Sequence, residues 1–486
     1  MLTVKTLNKY EGYFANPDIA QEINITRLVD RSGRLVKPFK NVAMVITYPS
    51  WSMDGFEEKK EHCGLIITEQ VYEEYLDTIP QYIVPNTEDF MYQLALDIRP
   101  TYTNPVVGIT GSVGKSSTRK MITHLLTVDK PDMISNIGNH NNRHSGPYHI
   151  VKAMRNPDYV IVEISAEILI KTKRNGNLAK VVQPDIAIMT KTGGAHLARY
   201  QSNEQIAEIK SGLLEEIKPN GTAILNSSTP EKELAIFIKK AEAKNATILT
   251  YSLTDKTADI YLIKQVWEDN MTKVTAMFKG KEISYSLSMG SDGMIENSFA
   301  TILTLDSLGL DVASDKYLQR FATFKSLVRN LMHREFQNHE GGKVTVMDDT
   351  HNAAMPSMIN AIKFFTSAAP TYKGNKVLII SQVADLGDAG STMHRELVPF
   401  IADSGADYVL TYSPLMENVT KEVSAINKEL PIKWFENLDE LVDVAVEKLD
   451  QDSFIVMKGS RSDSDFKEIT KRLPLKIIAS GGKKIK

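Results

Sequence analysis

Residues 106–126 read VVGITGSVGKSSTRKMITHLL, and the fold is decided there. Val106 to Thr110 is a short apolar run of strand type. From Lys115 onward, Met121, Ile122, Leu125 and Leu126 fall on one helical stripe. Between strand and helix lies a loop carrying Gly111 and Gly114. A strand, a glycine-rich loop and a helix in that order predict a phosphate site. Backbone N–H groups at a helix N-terminus point at the ligand, the helix dipole favours an anion, and glycines let the chain come close. Lys115 would neutralise the β- and γ-phosphates, and Ser116 or Ser117 would offer an oxygen to Mg²⁺. The spacing is not that of the common P-loop, because the position where that pattern wants its first glycine holds Ile109.

Outward from this loop, PVVGIT, YVIVEIS, DIAIMT and TAILN are near-continuous apolar runs, as strands buried on both faces of a parallel sheet require. Residues 259–288 differ. They predict three antiparallel strands with tight turns at Asp269-Asn270 and Gly280-Lys281, followed by helices near 294–308 and 315–328. A second alternating block starts near Arg334. Its strands are KVTVMDD, KVLIISQV, DYVLTYS, IKWFEN and DSFIVMKGS. Its helices are PSMINAIKFFTSA, HRELVPFIADS, LDELVDVAVEKL and DFKEITKRL. Upstream, NVAMVITY and CGLIITE read as short strands and TEDFMYQLALDI as a helix. The proline-containing RPTYTNP (99–105) marks a boundary. The expected fold is α/β in three domains. Residues 1–104 form a small N-terminal α/β domain. Residues 105–332 form a central P-loop mononucleotide-binding α/β domain with an antiparallel β meander. Residues 333–486 form a C-terminal Rossmann-like α/β domain.

A chain of 486 residues suits two to four domains, at ~100–200 residues each. A net charge of −3 without a basic tract argues against a nucleic-acid partner, and GGKKIK reads as a solvated tail. The single cysteine, Cys63, can form neither an internal disulfide nor a CxxC site. No signal-peptide core and no run of ~20 apolar residues stands out. A soluble cytoplasmic monomer acting on small molecules is expected, away from membranes.

Glu163 lies inside the apolar run YVIVEIS and needs a partner, since an unpaired buried charge is costly. A metal cation at the sheet edge and a salt bridge to a basic side chain both satisfy it. His196 follows a Gly-Gly turn, a loop where ligands commonly sit, although a lone loop histidine is more often just solvated. Lys210, on a helix after Ile206 and Ile209, is by itself an ordinary surface lysine.

The order of motifs resembles the Mur ligases of peptidoglycan synthesis. GITGSVGKSS, GNHNNRHSGP (138–147), VEIS, TKTGGAHL, IAEIKSG, GTAILN, HREF, MDDTHNA, DLGDAGSTMH and MKGSRS follow one another in the family's order. The family loop TGxxGK[ST] accounts for the unusual spacing through Thr110, Gly111, Gly114, Lys115 and Ser116. The resemblance implies that Lys115, Ser116 and Ser117 hold the ATP phosphates and one Mg²⁺, with Glu163 as its ligand. It implies that His196 holds a second Mg²⁺ and that Lys210 is a carbamylated lysine, which nothing in its local sequence shows. It places Asn142, Arg334 and Asp349 on the nucleotide, and Asn352, Lys458, Ser460 and Arg461 at the acceptor. Within the family, the motifs imply a ligase that joins D-Ala-D-Ala to UDP-MurNAc-tripeptide through an acyl phosphate.

There are departures. His351, Ala354 and Met355 replace the usual tyrosine, asparagine and proline. Asp385 stands for glutamate and Lys191 for asparagine. VDRSGR (29–34) and MDGFEE (53–58) are weak echoes of the family's UDP-sugar segments. Two other readings follow: a Mur-like ligase with a different carboxylate and amine, and a non-catalytic ATP-binding scaffold.

Overall fold

The computed structural model describes residues 1–485 apart from 36–40, 137–140, 142–144, 171–176, 193–201, 269–270, 289, 326–331, 351–352, 461 and 463. Its strands form three sheets. The first contains β1 (Tyr13–Phe14), β2 (Arg27–Val29), β3 (Val42–Val45), β4 (Leu65–Thr68) and β5 (Gln81–Ile83), in the order β1-β5-β4-β3-β2. All its pairings are parallel except β1 on β5. The helix Thr87–Ile98 follows, its first turn capped by the Asn86 side chain on Asp89 N. The segment 99–105 is anchored rather than loose. Buried Arg99 donates to the carbonyls of Val182, Tyr102 and Gln183 and pairs with Asp185.

The second sheet is built on β6 (Val106–Thr110), β7 (Met133–Ser135), β8 (Tyr159–Glu163), β9 (Ile186–Met189), β10 (Thr222–Asn226) and β11 (Thr247–Ser252), all parallel. It continues through β12 (Ile260–Glu268), β13 (Met271–Phe278) and β14 (Lys281–Leu287) as an antiparallel meander, in the order β14-β13-β12-β11-β10-β9-β6-β8-β7. The described turn uses Lys279 and Gly280, both at positive φ, one residue earlier than the sequence suggests. That geometry matches the twist of a two-residue hairpin. The expected Asp269-Asn270 turn lies outside the described residues. The helix expected near 315–328 is shorter: Asp315–Leu318, then a 3₁₀ turn through Thr323.

Side chains alternate across this sheet, and each face feeds a different core. Val107, Ile109, Ile161, Ile188 and Ile224 pack with the helix Asp292–Ser307 and with residues of the third lobe. Val106, Val160, Val162, Ala187 and Leu225 pack with Leu65, Tyr82 and Phe90 of the first lobe.

The third sheet holds β15 (Met332–Gln337), β16 (Lys343–Asp349), β17 (Lys376–Ser381), β18 (Tyr408–Tyr412), β19 (Ile432–Phe435), β20 (Ser453–Lys458) and β21 (Lys483–Lys484). Its order is β19-β18-β17-β20-β16-β15-β21, parallel from β16 to β19 and antiparallel at β15 and β21. Its helix Met355–Ala368 lies against the helix Asp292–Ser307, so the third lobe is docked over the phosphate loop. No helix among the described residues is long and apolar enough to cross a membrane.

Candidate active site

The loop 111–114 leaves β6, and the helix Lys115–Leu126 begins at once. Gly111 and Gly114 take positive φ. A Cβ on Gly111 would fall 1.9 Å from Thr190 Oγ1, and one on Gly114 would fall 2.5 Å from Asn297 Oδ1. The loop is therefore pressed onto its neighbours where only glycine fits. Thr110 holds this shape, its hydroxyl donating to the Ile164 carbonyl.

In front of the loop lies a cleft of about 340 Å³. Lys115, Ser116, Ser117, Asn141 and Lys210 line it from the central lobe, and Asp349, Ala354, Ser357, Asn360 and Lys458 from the third. Lys115 Nζ donates to the carbonyls of Gly111 at 2.7 Å and Ser112 at 3.4 Å. Lys210 Nζ, from the helix Asn203–Glu215, donates to the same Gly111 carbonyl at 3.1 Å. Lys210, read from sequence alone as a surface residue, is buried. Burial, and then the charge of Lys115, hold its ammonium well below the ordinary lysine range. Burial also lowers Lys115, and Glu163 opposes that shift.

Glu163 ends β8 fully buried, and the salt-bridge reading holds for it: Arg119 Nε donates to Oε2 at 3.1 Å. Asn141 Nδ2 donates to Oε1 at 2.7 Å. Lys191, at the end of β9, faces buried Glu296 at 3.3 Å, and Asn226 donates to the same carboxylate at 3.1 Å. Arg119, Glu296 and Asn297 carry no motif signal, and the sequence reading missed them.

The third lobe supplies Asp349 and Lys458 as one unit, an ion pair at 3.0 Å between two buried side chains. Nucleotide and acceptor roles assigned to them separately therefore meet on a single wall. Ser460 lies just beyond, its N–H donating to the Gln382 carbonyl. Arg334 does not line the cleft. It donates to the Thr470 carbonyl at 2.8 Å and pairs with Asp348 at 3.3 Å. Asp348 and Asp349 project to opposite faces of β16, and Arg334 keeps the company of Asp348. His196, Asn142, Asn352 and Arg461 lie outside the described residues.

Two buried hydroxyls on the cleft walls, Ser112 Oγ and Ser165 Oγ, lack a hydrogen-bond partner among the described residues. Such groups are costly unless a ligand meets them. With two lysines and a helix N-terminus beside them, the fit is to a polyphosphate. The Ser116 hydroxyl and the Glu163 carboxylate are hard oxygen donors of the kind Mg²⁺ takes, alongside phosphate and water. Among the described residues no three His, Cys, Asp or Glu stand together, so a cation here would rely on the phosphates for part of its shell.

In the first lobe, the segments VDRSGR and MDGFEE touch, Ser32 Oγ donating to the Asp54 carbonyl. Arg34 pairs with Asp30 at 2.6 Å and donates to Tyr148 OH at 3.1 Å, joining this lobe to the central one.

A phosphate-loop lobe closed by a second α/β lobe, with Lys115, Lys191, Lys210 and Lys458 lining the cleft between them, is the architecture of a nucleotide-dependent ligase. Comparison with known proteins gives the family. Residues 109–305 match the Mur ligase middle domain, and residues 334–461 the Mur ligase glutamate ligase domain. The chain belongs to the Mur ligase family, whose members are ATP-dependent, ADP-forming ligases. It is 28% identical over 405 residues to the UDP-N-acetylmuramoyl-tripeptide–D-alanyl-D-alanine ligase of Rickettsia prowazekii, covering 82% of this chain and 84% of that one. The Buchnera aphidicola (strain APS) enzyme of the same name is 25% identical, over 83% of each chain. A crystal structure of MurF from Acinetobacter baumannii shares the fold with a TM-score of 0.75 at 20% identity, covering 99% of this chain and 98% of that one. MurF from Thermotoga maritima in complex with ADP gives 0.72 at 19% identity, over 93% and 98%.

Proposed function

We propose that this ligase joins D-Ala-D-Ala to UDP-MurNAc-tripeptide in the cytoplasm, at an early stage of peptidoglycan assembly. The observation that carries the reading is the cleft itself: Lys115 and Lys210 on one loop carbonyl, faced by the Asp349–Lys458 pair. The activity for which the relatives are named supplies the substrates.

In this reading the tripeptide carboxylate attacks the γ-phosphorus of ATP, giving an acyl phosphate and ADP. The D-Ala-D-Ala amine then attacks the acyl carbon, and phosphate leaves. Phosphoryl transfer is mostly positioning and charge neutralisation. Lys115 turns from its loop carbonyls to the phosphates. Ser112 and Ser165 donate their free hydroxyls. The docked third lobe excludes water from the acyl phosphate. Ser116 and Glu163 would hold Mg²⁺, with His196 and Lys210 at a second ion, and the metal would supply charge neutralisation at the transferring phosphoryl group. The depressed Lys210 ammonium supports carbamylation, because CO₂ adds only to a neutral amine. Asp349 and Lys458 order the facing wall, and Arg334 acts from behind through Asp348.

The alternative keeps the chemistry and changes the substrates. Arg34, in the segment VDRSGR that weakly echoes the family's UDP-sugar segments, is already spent on Asp30 and Tyr148. ADP release measured with and without each substrate decides. Dependence on both UDP-MurNAc-tripeptide and D-Ala-D-Ala is expected. Release only with another carboxylate and amine would replace this assignment, and silence with every pair would leave a nucleotide-binding scaffold.

A further inference from the structure

One turn beyond Lys115, the helix Lys115–Leu126 carries an arginine that turns inward and is buried. Arg119 makes three described contacts with its guanidinium. Nε donates to Glu163 Oε2 at 3.1 Å, and Nη1 donates to Asn136 O at 2.6 Å and to Ser135 Oγ at 3.1 Å. Asn136 in turn grips the Glu163 backbone from both sides, accepting its N–H at 2.8 Å and donating to its carbonyl at 3.3 Å. Asn141, which lines the cleft, covers the remaining oxygen Oε1. Glu163 does not itself line the cleft: Arg119 holds one carboxylate oxygen, and Asn141, which does line it, stands on the other.

We propose that Arg119 is a positioning residue for the divalent cation of the ATP site, acting through Glu163. The proposal rests on the reading of Glu163 as a cation ligand. A carboxylate offers about four lone-pair sites, and Arg119 takes one on Oε2 while leaving Oε1, under Asn141, for the cation. On cation binding Asn141 yields its place at Oε1, and Arg119 keeps Oε2. The guanidinium also fixes the end of β7 through Ser135 and Asn136. The carboxylate, the phosphate-loop helix and the strand end are therefore registered by a single side chain. Lysine can keep the charge but not the fork that reaches strand end and carboxylate together.

The test is Mn²⁺ binding to the full chain in the presence of ADP, followed by electron paramagnetic resonance, with Arg119→Ala, Arg119→Gln, Arg119→Lys and Glu163→Gln beside the parent. Loss of a group that orients a ligand weakens metal binding by roughly 10–100-fold, and this is the expected effect of Arg119→Ala and Arg119→Gln. Arg119→Lys should fall between them and the parent. The thermal midpoint without metal is measured alongside, because a merely structural role would lower it without moving the Mn²⁺ affinity. Should Arg119→Ala fail to fold, the order parent, lysine, glutamine in Mn²⁺ affinity carries the test, and no such order overturns the proposal. Parent-like Mn²⁺ binding in the Arg119 variants, with weakened binding in Glu163→Gln, sinks the role of Arg119 alone. Parent-like binding in Glu163→Gln as well removes the reading of Glu163 on which it stands.

Discussion

At the scale of single residues, Gly114 and Lys210 show two different demands of the phosphate loop. Gly114 has φ +89°, and a Cβ there would meet Asn297 Oδ1. Alanine in a left-handed conformation costs roughly 1–2 kcal/mol before any clash. Gly114→Ala should therefore lower unfolding stability by at least about that amount, and calorimetry with ADP should show weakened binding. Lys210 bears on pH. Its folded ammonium titrates below the ordinary value, so between the two values the unfolded chain binds more protons and stability rises with pH. Lys210→Met removes that slope. Urea unfolding in bicarbonate-free buffer should show the variant gaining on the parent at pH 7, with the gap narrowing towards pH 9.5. A pH-independent gap would contradict the buried-amine account. The loop residues were legible because glycine spacing encodes a local backbone shape. Glu163 was legible only as two alternatives, and Arg119 decides the salt-bridge half. That Arg334 stands behind the cleft wall was not legible, because β15 itself went unread and the face a strand residue serves depends on register with its neighbour.

At the scale of elements, the meander does more than close the sheet. Trp267 on β12 meets Phe364 of the helix Met355–Ala368 edge to face at 5.3 Å, and Phe364 packs in turn on Phe454. Gly290 makes room, since a Cβ there would stand 2.9 Å from the Phe364 ring and 3.0 Å from Trp267. An aromatic pair of this geometry adds about 0.5–1.5 kcal/mol beyond its buried area. Trp267→Ala should loosen the seating of the third lobe, and small-angle scattering of the nucleotide-free variant should give a larger radius of gyration. The apparent KM for ATP should rise with it. An unchanged radius and KM would mean that the helix pair alone carries the docking. The parallel strands were readable because burial on both faces leaves continuous apolar runs, as in β6 and β9. β2, β5, β7, β11 and the two-residue β1 and β21 were not. Their short or polar sequences, such as TILTYS, become strands only when a neighbouring edge pairs with them.

At the scale of the molecule, the central sheet is shared. One of its faces belongs to a core that runs on through the helices Asp292–Ser307 and Met355–Ala368 to Phe454 of the third lobe. Its other face belongs to a core that includes Leu65, Tyr82 and Phe90 of the first. Chains with several lobes commonly unfold in steps, because few apolar contacts cross between them. Here apolar contacts cross at both junctions, and the ATP cleft is lined from two lobes, so ligand binding should stabilise them together. Differential scanning calorimetry should give one transition, and it should move upward as a unit when ADP and Mg²⁺ are added. At a hundredfold excess over Kd the expected stabilisation is about 2.7 kcal/mol. Two resolved transitions, only one of them moved by nucleotide, would show that the lobes fold independently. The docked arrangement would then be one state among several, and the apolar junctions would be contacts made on closure instead of parts of a common core.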